Sequence, residues 1–400
     1  MKLLMISDPS SVHTRNWFEG FTSKGIDVEI IFPKSWIFHE GNVLESIEGR
    51  TVLIDVPNLT SLVGHSIKKL ALRDLFSDIR NRTRFHQSLC YLGKRIHQYA
   101  VEKEIDFIHS HGMATSALLA NASGFRPYSV SVWGSDIYLM PKKYPYLKTI
   151  IARAAAEAEF IHVESTISEA HLRSLAPNMA KRVLVSTWGV DTDTYRPGRH
   201  SSMLKEQLNL DDRKFILSFR SLEPIYRIDL IIKAFEIVAK QDNDLMLVIG
   251  GDGSSKEDLM LLSKELGLEN RIVFTGFIDS QLKIELFSGA LLYVQCPESD
   301  GVSLAMMEAM SSGQPLVSSN VGETSILVES GTNGFLIDDE NPVDLAEAIL
   351  SIAKDSELRE RLSTMSRTIA LEKHSRSAFF ESFVDEVQKS ISMTKHDKIP

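Results

Sequence analysis

The chain has 400 residues, of which 43% are hydrophobic and 24% charged, enough for two or three ordinary globular domains with large cores. Its net charge of −9 argues against a general nucleic-acid binder. Two cysteines, Cys90 and Cys296, supply neither a disulfide framework nor a CxxC metal site and point to a reducing compartment.

Read in chain order, MKLLMISDPSS carries too short an apolar run for a leader peptide and is expected to be a first strand. No stretch approaches the ~18 apolar residues of a membrane span, so a cytoplasmic location is expected. Short apolar strands then alternate with helical patterns. KLLMISD, VEIIFP, TVLIDVP, DFIHSH, YSVSVWGSD, EFIHVES and RVLVSTWG lie in the first half. KFILSFR, LMLVIGGDG, IVFTGFI, LLYVQCP, PLVSSNV and GFLID lie in the second, with helices expected at 228–240, 256–266 and 302–312. Near-continuous apolar strands alternating with helices predict parallel sheets covered on both faces.

The alternation pauses at GVDTDTYRPGRHSS, Gly189–Ser202, which is polar, holds Gly and Pro, and is the best linker. The predicted fold is therefore α/β, with two doubly wound, Rossmann-like domains at about 1–190 and 203–370. The segment 371–400 carries Phe380, Phe383, Val384, Val387 and Ile391 on one helical face, and this helix is expected to return to the first domain. Open parallel sheets bind ligands beyond the C-terminal ends of their strands, so two such domains facing each other would place a ligand cleft between them.

Between Ser66 and His97 lie eight Lys/Arg (Lys68, Lys69, Arg73, Arg80, Arg82, Arg84, Lys94, Arg95) against Asp74 and Asp78. Ile67, Ala71, Leu75 and Ile79, then Leu89, Leu92 and Ile96 after a break expected at Asn81–Thr83, give this stretch an apolar helical face. The rest is a solvated basic face or one that touches anionic membrane, and a polyanionic acceptor would explain the charge equally well.

ESDGVSLAMMEAMSSGQPLV, Glu298–Val317, sets Asp300 and Gly301 just before a helix and Glu308 inside it. A helix start suits an anion such as phosphate. Asp300 fits either that site or a plain N-cap. Glu308, flanked by Leu304, Ala305, Ser311 and Ser312, suits either solvent or a ligand whose vicinal diol donates to a carboxylate.

The sequence from Asp300 to Ile337 closely resembles the motif of the family-four retaining glycosyltransferases of GT-B fold: an acid, seven residues, Glu, then Gly-x-Pro-Val and Gly-x-x-Gly. The family's first acid is usually Glu and is Asp300 here. SVHTRNW, DFIHSHG, VWGSDIY, GVDTDTYRP, GGDG and IVFTGFI extend the resemblance over nearly the whole chain. It implies a nucleotide-diphosphate sugar donor, UDP-linked, and a glycan, lipid-linked glycan or small-molecule acceptor. It implies that Glu308 holds the ribose and that Asp300, with the amides of Gly301, Val302, Ser303 and Leu304, holds sugar and diphosphate. Gly276, Phe277 and Ile278, closing IVFTGFI, join the donor site. Arg220 matches the family's arginine after the first strand of the second domain. The family's lysine falls on Tyr226, so either Arg227 takes its role or Tyr226 lends a hydroxyl; Arg227 is the preferred candidate because it keeps the charge. His111 is the expected contact to the donor sugar's hydroxyls, with His109 a buried neighbour. His13 sits where the family has a glycine-rich turn, replaced here by Asp8-Pro9-Ser10-Ser11. Asp136 either orients an acceptor hydroxyl or caps the next helix.

Asp191-Thr192-Asp193 is read as turn chemistry, and no metal or other cofactor is expected to be required. GGDG is a poor match to a dinucleotide fingerprint, which disfavours a nicotinamide oxidoreductase. The same fold would also serve an epimerase, a phosphorylase-like enzyme or a non-catalytic sugar-nucleotide binder.

Overall fold

The computed structural model describes residues 1–37, 45–55, 79–179, 182–198, 208, 210, 213–338 and 341–396. The chain divides into two compact units, Met1–Ser186 with Ala378–Pro400, and Thr187–Ser377. Among the described residues, no helix is long and apolar enough to cross a membrane.

The first unit is built on seven parallel strands: β1 (Lys2–Ile6), β2 (Asp27–Pro33), β3 (Thr51–Ile54), β4 (Phe107–His111), β5 (Tyr128–Ser131), β6 (Phe160–Val163) and β7 (Val183–Val185). Their order is β3-β2-β1-β4-β5-β6-β7, so chain direction across the sheet reverses between β1 and β4. Met5 sits opposite Ile30 on one side and His109 on the other. Leu3 to Ile6 are fully buried, which explains the unbroken apolar run where alternation would mark a half-exposed strand.

One helix, Ile79–Glu102, runs through Asn81–Thr83, so the break expected there is absent. Nothing in that tripeptide is a helix breaker, and Leu89, Leu92 and Ile96 are buried in the core as the spacing requires. Ile67, Ala71, Leu75, Lys68, Lys69, Arg73, Asp74 and Asp78 lie outside the described residues.

The last helix, Arg376–His396, buries Phe379, Phe380, Phe383, Val384 and Val387. Rings of Phe379, Phe380 and Phe383 meet Trp17 edge-on at 5.2–5.4 Å, a favoured aromatic geometry. Gly20 makes this approach possible, since a Cβ there would lie 2.0 Å from the Phe380 ring.

The second unit holds six parallel strands: β8 (Lys214–Phe219), β9 (Leu245–Gly250), β10 (Ile272–Gly276), β11 (Tyr293–Gln295), β12 (Leu316–Ser319) and β13 (Gly334–Ile337). Their order is β10-β9-β8-β11-β12-β13, and the reversal falls between β8 and β11. Helices Ile228–Ala239, Lys256–Glu265 and Pro342–Lys354 help cover this sheet, and the first and last pack together. The polar stretch that begins at Gly189 belongs to this unit. Gly189 has φ +74°, and a Cβ there would meet the Arg376 backbone at 2.6 Å.

Candidate functional site

In the second unit the site grows from the reversal point, where a doubly wound sheet leaves a crevice beyond its strands. β8 ends at Phe219 and delivers Arg220; β11 ends at Gln295 and delivers the loop that carries Asp300. Arg220 Nη2 donates to Asp300 Oδ1 at 3.0 Å, and Nη1 donates to Ser303 Oγ at 2.7 Å. The Tyr226 ring lies 4.2 Å from the guanidinium carbon, covering one face of the fork. Gln295 Nε2 reaches Asp300 Oδ2 at 3.3 Å. Arg220 is thus held by an edge, a hydroxyl and a ring, with its side chain only 12% exposed.

Glycines hold the backbone around this pair. A Cβ on Gly251, at φ +119°, would sit 2.0 Å from the Arg220 carbonyl, and one on Gly253 would meet Leu222 at 2.6 Å. The GGDG turn is therefore packing for the Arg220 segment, which explains its failure as a dinucleotide fingerprint. Gly322, at φ +55°, fits the same way against the Asp300 carbonyl at 2.0 Å. Gly301 differs: a Cβ there would meet nothing within 4 Å, so its space faces outward.

The helix after this loop spans Leu304–Ser311, two residues later than expected. Ser303 is its N-cap, accepting from the Met306 amide. The N-cap expectation for Asp300 is corrected, because its carboxylate is turned to Arg220 and Gln295. The solvent expectation for Glu308 is corrected too, since that residue is 3% exposed. Glu308 Oε1 accepts from Lys283 Nζ at 2.8 Å. Its Oε2 is buried and meets no hydrogen-bond partner of good geometry. The Tyr195 hydroxyl lies near enough that burial and the Glu308 charge together hold its pKa above the usual phenol value. Lys283 also rests among Phe219, Tyr195 and Phe287, at 5.1–5.8 Å from their ring centres.

Sequence reasoning missed Lys283, Gln295 and Tyr195. Nothing in SQLKIEL separates a lysine that crosses to a neighbouring helix from a solvated one. Arg227 occupies a left-handed backbone position, φ +48°, just after the short turn Pro224–Tyr226. It is half-buried and near enough to Cys296 for its charge to act on that thiol, which burial pushes up to about 12. The ring against Arg220 is that of Tyr226. Gly276 turns at φ +64°, Ile278 is half-buried, and Phe277 is 89% exposed at the end of β10. Asp191 accepts from the Asp193 and Thr194 amides and the Thr194 hydroxyl, the turn chemistry expected of it.

In the first unit the corresponding reversal lies between β1 and β4, and it too carries a polar pair. Ser7, following β1, places its Oγ 3.0 Å from Nδ1 of His111, the last residue of β4. His111 is 7% exposed and packs against Trp17 and Trp133. Burial holds its pKa well below the usual imidazole value, so the ring is neutral. His109 is fully buried and stacked on Trp17 at 4.7 Å, a core residue as expected. His13, second in the helix Val12–Ser23, meets the Trp133 ring at 4.7 Å.

Asp136 Oδ2 accepts from the amides of Met113 at 2.7 Å and Trp133 at 3.3 Å. Trp133 precedes the short helix Gly134–Tyr138, so Asp136, the third residue of that helix, reaches back to the amide at its start and also ties in the loop after β4. Burial pushes its pKa up to about 6 against those amides. Capping is the role its contacts serve.

Two parallel-sheet units of this kind, each with polar groups gathered at its reversal point, define the GT-B class of glycosyltransferase fold. Residues 202–368 match the family described as glycosyl transferases group 1, and residues 58–165 match the glycosyl transferase 4-like family. The chain belongs to these group 1, family-four-like glycosyltransferases. It is 29% identical over 175 residues to the alpha-D-kanosaminyltransferase of Streptomyces kanamyceticus, a match covering 44% of this chain and 45% of that one. It is 24% identical to the N-acetyl-alpha-D-glucosaminyl L-malate synthase of Bacillus anthracis, over 69% of this chain and 72% of that one. The first of these matches thus spans less than half of the relative's length. In structure the chain resembles Anabaena Alr3699/HepE in complex with UDP, with TM-score 0.76 and 19% identity, covering 97% of this chain and all of the other. At that identity the likeness establishes fold.

Proposed function

We propose that the chain is a retaining glycosyltransferase that moves a sugar from a UDP-linked donor to the hydroxyl of a glycan, lipid-linked glycan or small-molecule acceptor. The observation that carries this reading is the Arg220–Asp300–Ser303 group at the start of a helix that also carries the buried carboxylate of Glu308. A diphosphate fits the helix start and the guanidinium, whose charge matters most as the leaving group develops its own. A ribose diol fits Glu308, which can accept two hydrogen bonds. The complexes of Anabaena Alr3699/HepE with UDP and with UDP-glucose support the choice of nucleotide.

Asp300 is engaged by Arg220 and Gln295, which supports a holding role over nucleophilic attack. The reaction is accordingly read as running on one face of the sugar, with the donor phosphate taking the acceptor proton and no metal required. His111 supplies a contact to a sugar hydroxyl. The reading extends to a cytoplasmic enzyme that touches anionic membrane through Ser66–His97. Lys94 and Arg95 in that stretch are exposed, which supports the contact.

The test is a panel of nucleotide sugars incubated with the protein, with released nucleotide as the signal. UDP release from at least one UDP-sugar is expected; release only from another nucleotide's sugars overturns the choice of base, and release from none overturns transfer. Co-sedimentation with phosphatidylserine vesicles tests the membrane contact, which should weaken with salt. Protein left in the supernatant at low salt refutes it.

A further inference from the structure

The hydroxyls behind His111 form a chain whose proton directions are fixed by counting hydrogens. Thr14 Oγ1 lies 2.5 Å from the Asp8 carbonyl oxygen. Two oxygens at that distance need a proton between them, and a carbonyl has none to give, so Thr14 donates. Ser7 Oγ lies 2.6 Å from Thr14 Oγ1. The only Thr14 hydroxyl proton is already used, so Ser7 donates to Thr14. Ser7 Oγ is also 3.0 Å from His111 Nδ1. With the Ser7 proton committed as well, the hydrogen in that bond belongs to Nδ1. A neutral imidazole carries one N–H, so Nε2 is left with a lone pair. Nε2 is buried and without a hydrogen-bond partner among the described residues.

We propose that Ser7 and Thr14 are positioning residues that lock His111 in its Nδ1–H form, so that Nε2 is an acceptor for a hydroxyl-bearing ligand. A carbonyl or carboxylate presented to this nitrogen meets only repulsion between lone pairs; an alcohol of a sugar or other polyol donates to it. Ser7 and Thr14 are 2% and 0% exposed, so water does not supply other partners that would scramble the chain. That the ligand is a donor sugar rests on the glycosyl-transfer reading; the tautomer does not.

Long-range proton–nitrogen correlation spectra of the full chain with 15N-labelled histidine read the tautomer directly, with His111 assigned by the signals lost in His111→Asn. The expected spectrum at neutral pH has a protonated Nδ1 and an unprotonated Nε2; the reverse pattern overturns the proposal. Thr14→Val conserves shape but removes the last acceptor. Ser7 is then free to donate to Nδ1, and the His111 pattern is expected to reverse, while Thr14→Ser keeps the native one. A Thr14→Val spectrum identical to the native one removes Thr14 from the role; should that variant not fold, the native and Thr14→Ser spectra still decide. The ligand half predicts that Thr14→Val weakens binding of the UDP-sugar about tenfold and leaves UDP unchanged, the worth of one lost hydrogen bond. Equal weakening of both overturns the sugar contact. A native protein that binds no nucleotide sugar defeats the glycosyl-transfer reading and leaves the tautomer to its spectrum.

Discussion

Lys283→Met separates a lysine that serves the fold from one that competes with the ligand. Lys283 Nζ is 2.8 Å from Glu308 Oε1, with the lysine side chain 23% exposed and the glutamate side chain 4%. In the proposed reading a ribose diol donates to both carboxylate oxygens and displaces the ammonium, so binding would include the cost of breaking this pair. A hydrogen bond to a charged group is worth about 1.5–3 kcal/mol, and the exposure of the lysine places this one near the lower end. Removing it should lower the stability of the free protein and tighten UDP binding by about tenfold. Isothermal titration with UDP, beside an analogue lacking both ribose hydroxyls, is the assay. The gain should appear with UDP and vanish with the analogue. Equal or weaker UDP binding in the variant refutes the argument and makes Lys283 a ligand contact or a purely structural one.

Arg220→Lys keeps the charge but loses the fork to Asp300 and Ser303 and the flat face on Tyr226. Transfer should fall at least about tenfold, and a native rate in a UDP-release assay argues against the diphosphate role. Gly301→Ala meets no protein atom within 4 Å, so the melting temperature should hold while UDP affinity falls; unchanged affinity removes this glycine from the site. Burial raises the Asp136 carboxyl pKa from the ordinary aspartate range to about 6. A raised acid stabilises the fold fully below its unfolded pKa and loses that contribution as pH climbs through the folded value. At about 1.36 kcal/mol per pH unit, the loss is about 3 kcal/mol at most. The stability of Asp136→Asn relative to native should therefore rise from about pH 4 to about pH 7 in urea titrations, and a flat difference contradicts the assignment.

All thirteen expected strands are present in the described residues because each is a short apolar run bounded by turn residues, a signal that survives without tertiary context. Helix starts were less legible. Asp300, Gly301 and Ser303 all carry N-terminal chemistry, and only the turn of the Asp300 carboxylate towards Arg220 gives the cap to Ser303. Glu308 stood out in its motif as a candidate site acid, but its Lys283 partner did not. Lys283 reaches it from another helix, and no local pattern encodes that reach. The place of the family's lysine was visible as an exchange, yet nothing local marked that the Tyr226 ring lies against Arg220 or that Arg227 takes a left-handed backbone. The break placed at Asn81–Thr83 shows the opposite error, a polar patch in the pattern mistaken for the end of a helix.

The most direct test of the account compares native protein with Glu308→Ala in UDP binding and UDP release from the preferred UDP-sugar. In the proposed reading Glu308 holds the ribose, and its loss removes a charged acceptor worth about 1.5–3 kcal/mol. The account predicts affinity lower by at least about tenfold and no detectable release. A folded Glu308→Ala protein that binds UDP and releases it from the sugar at the native level contradicts the site proposed for the donor.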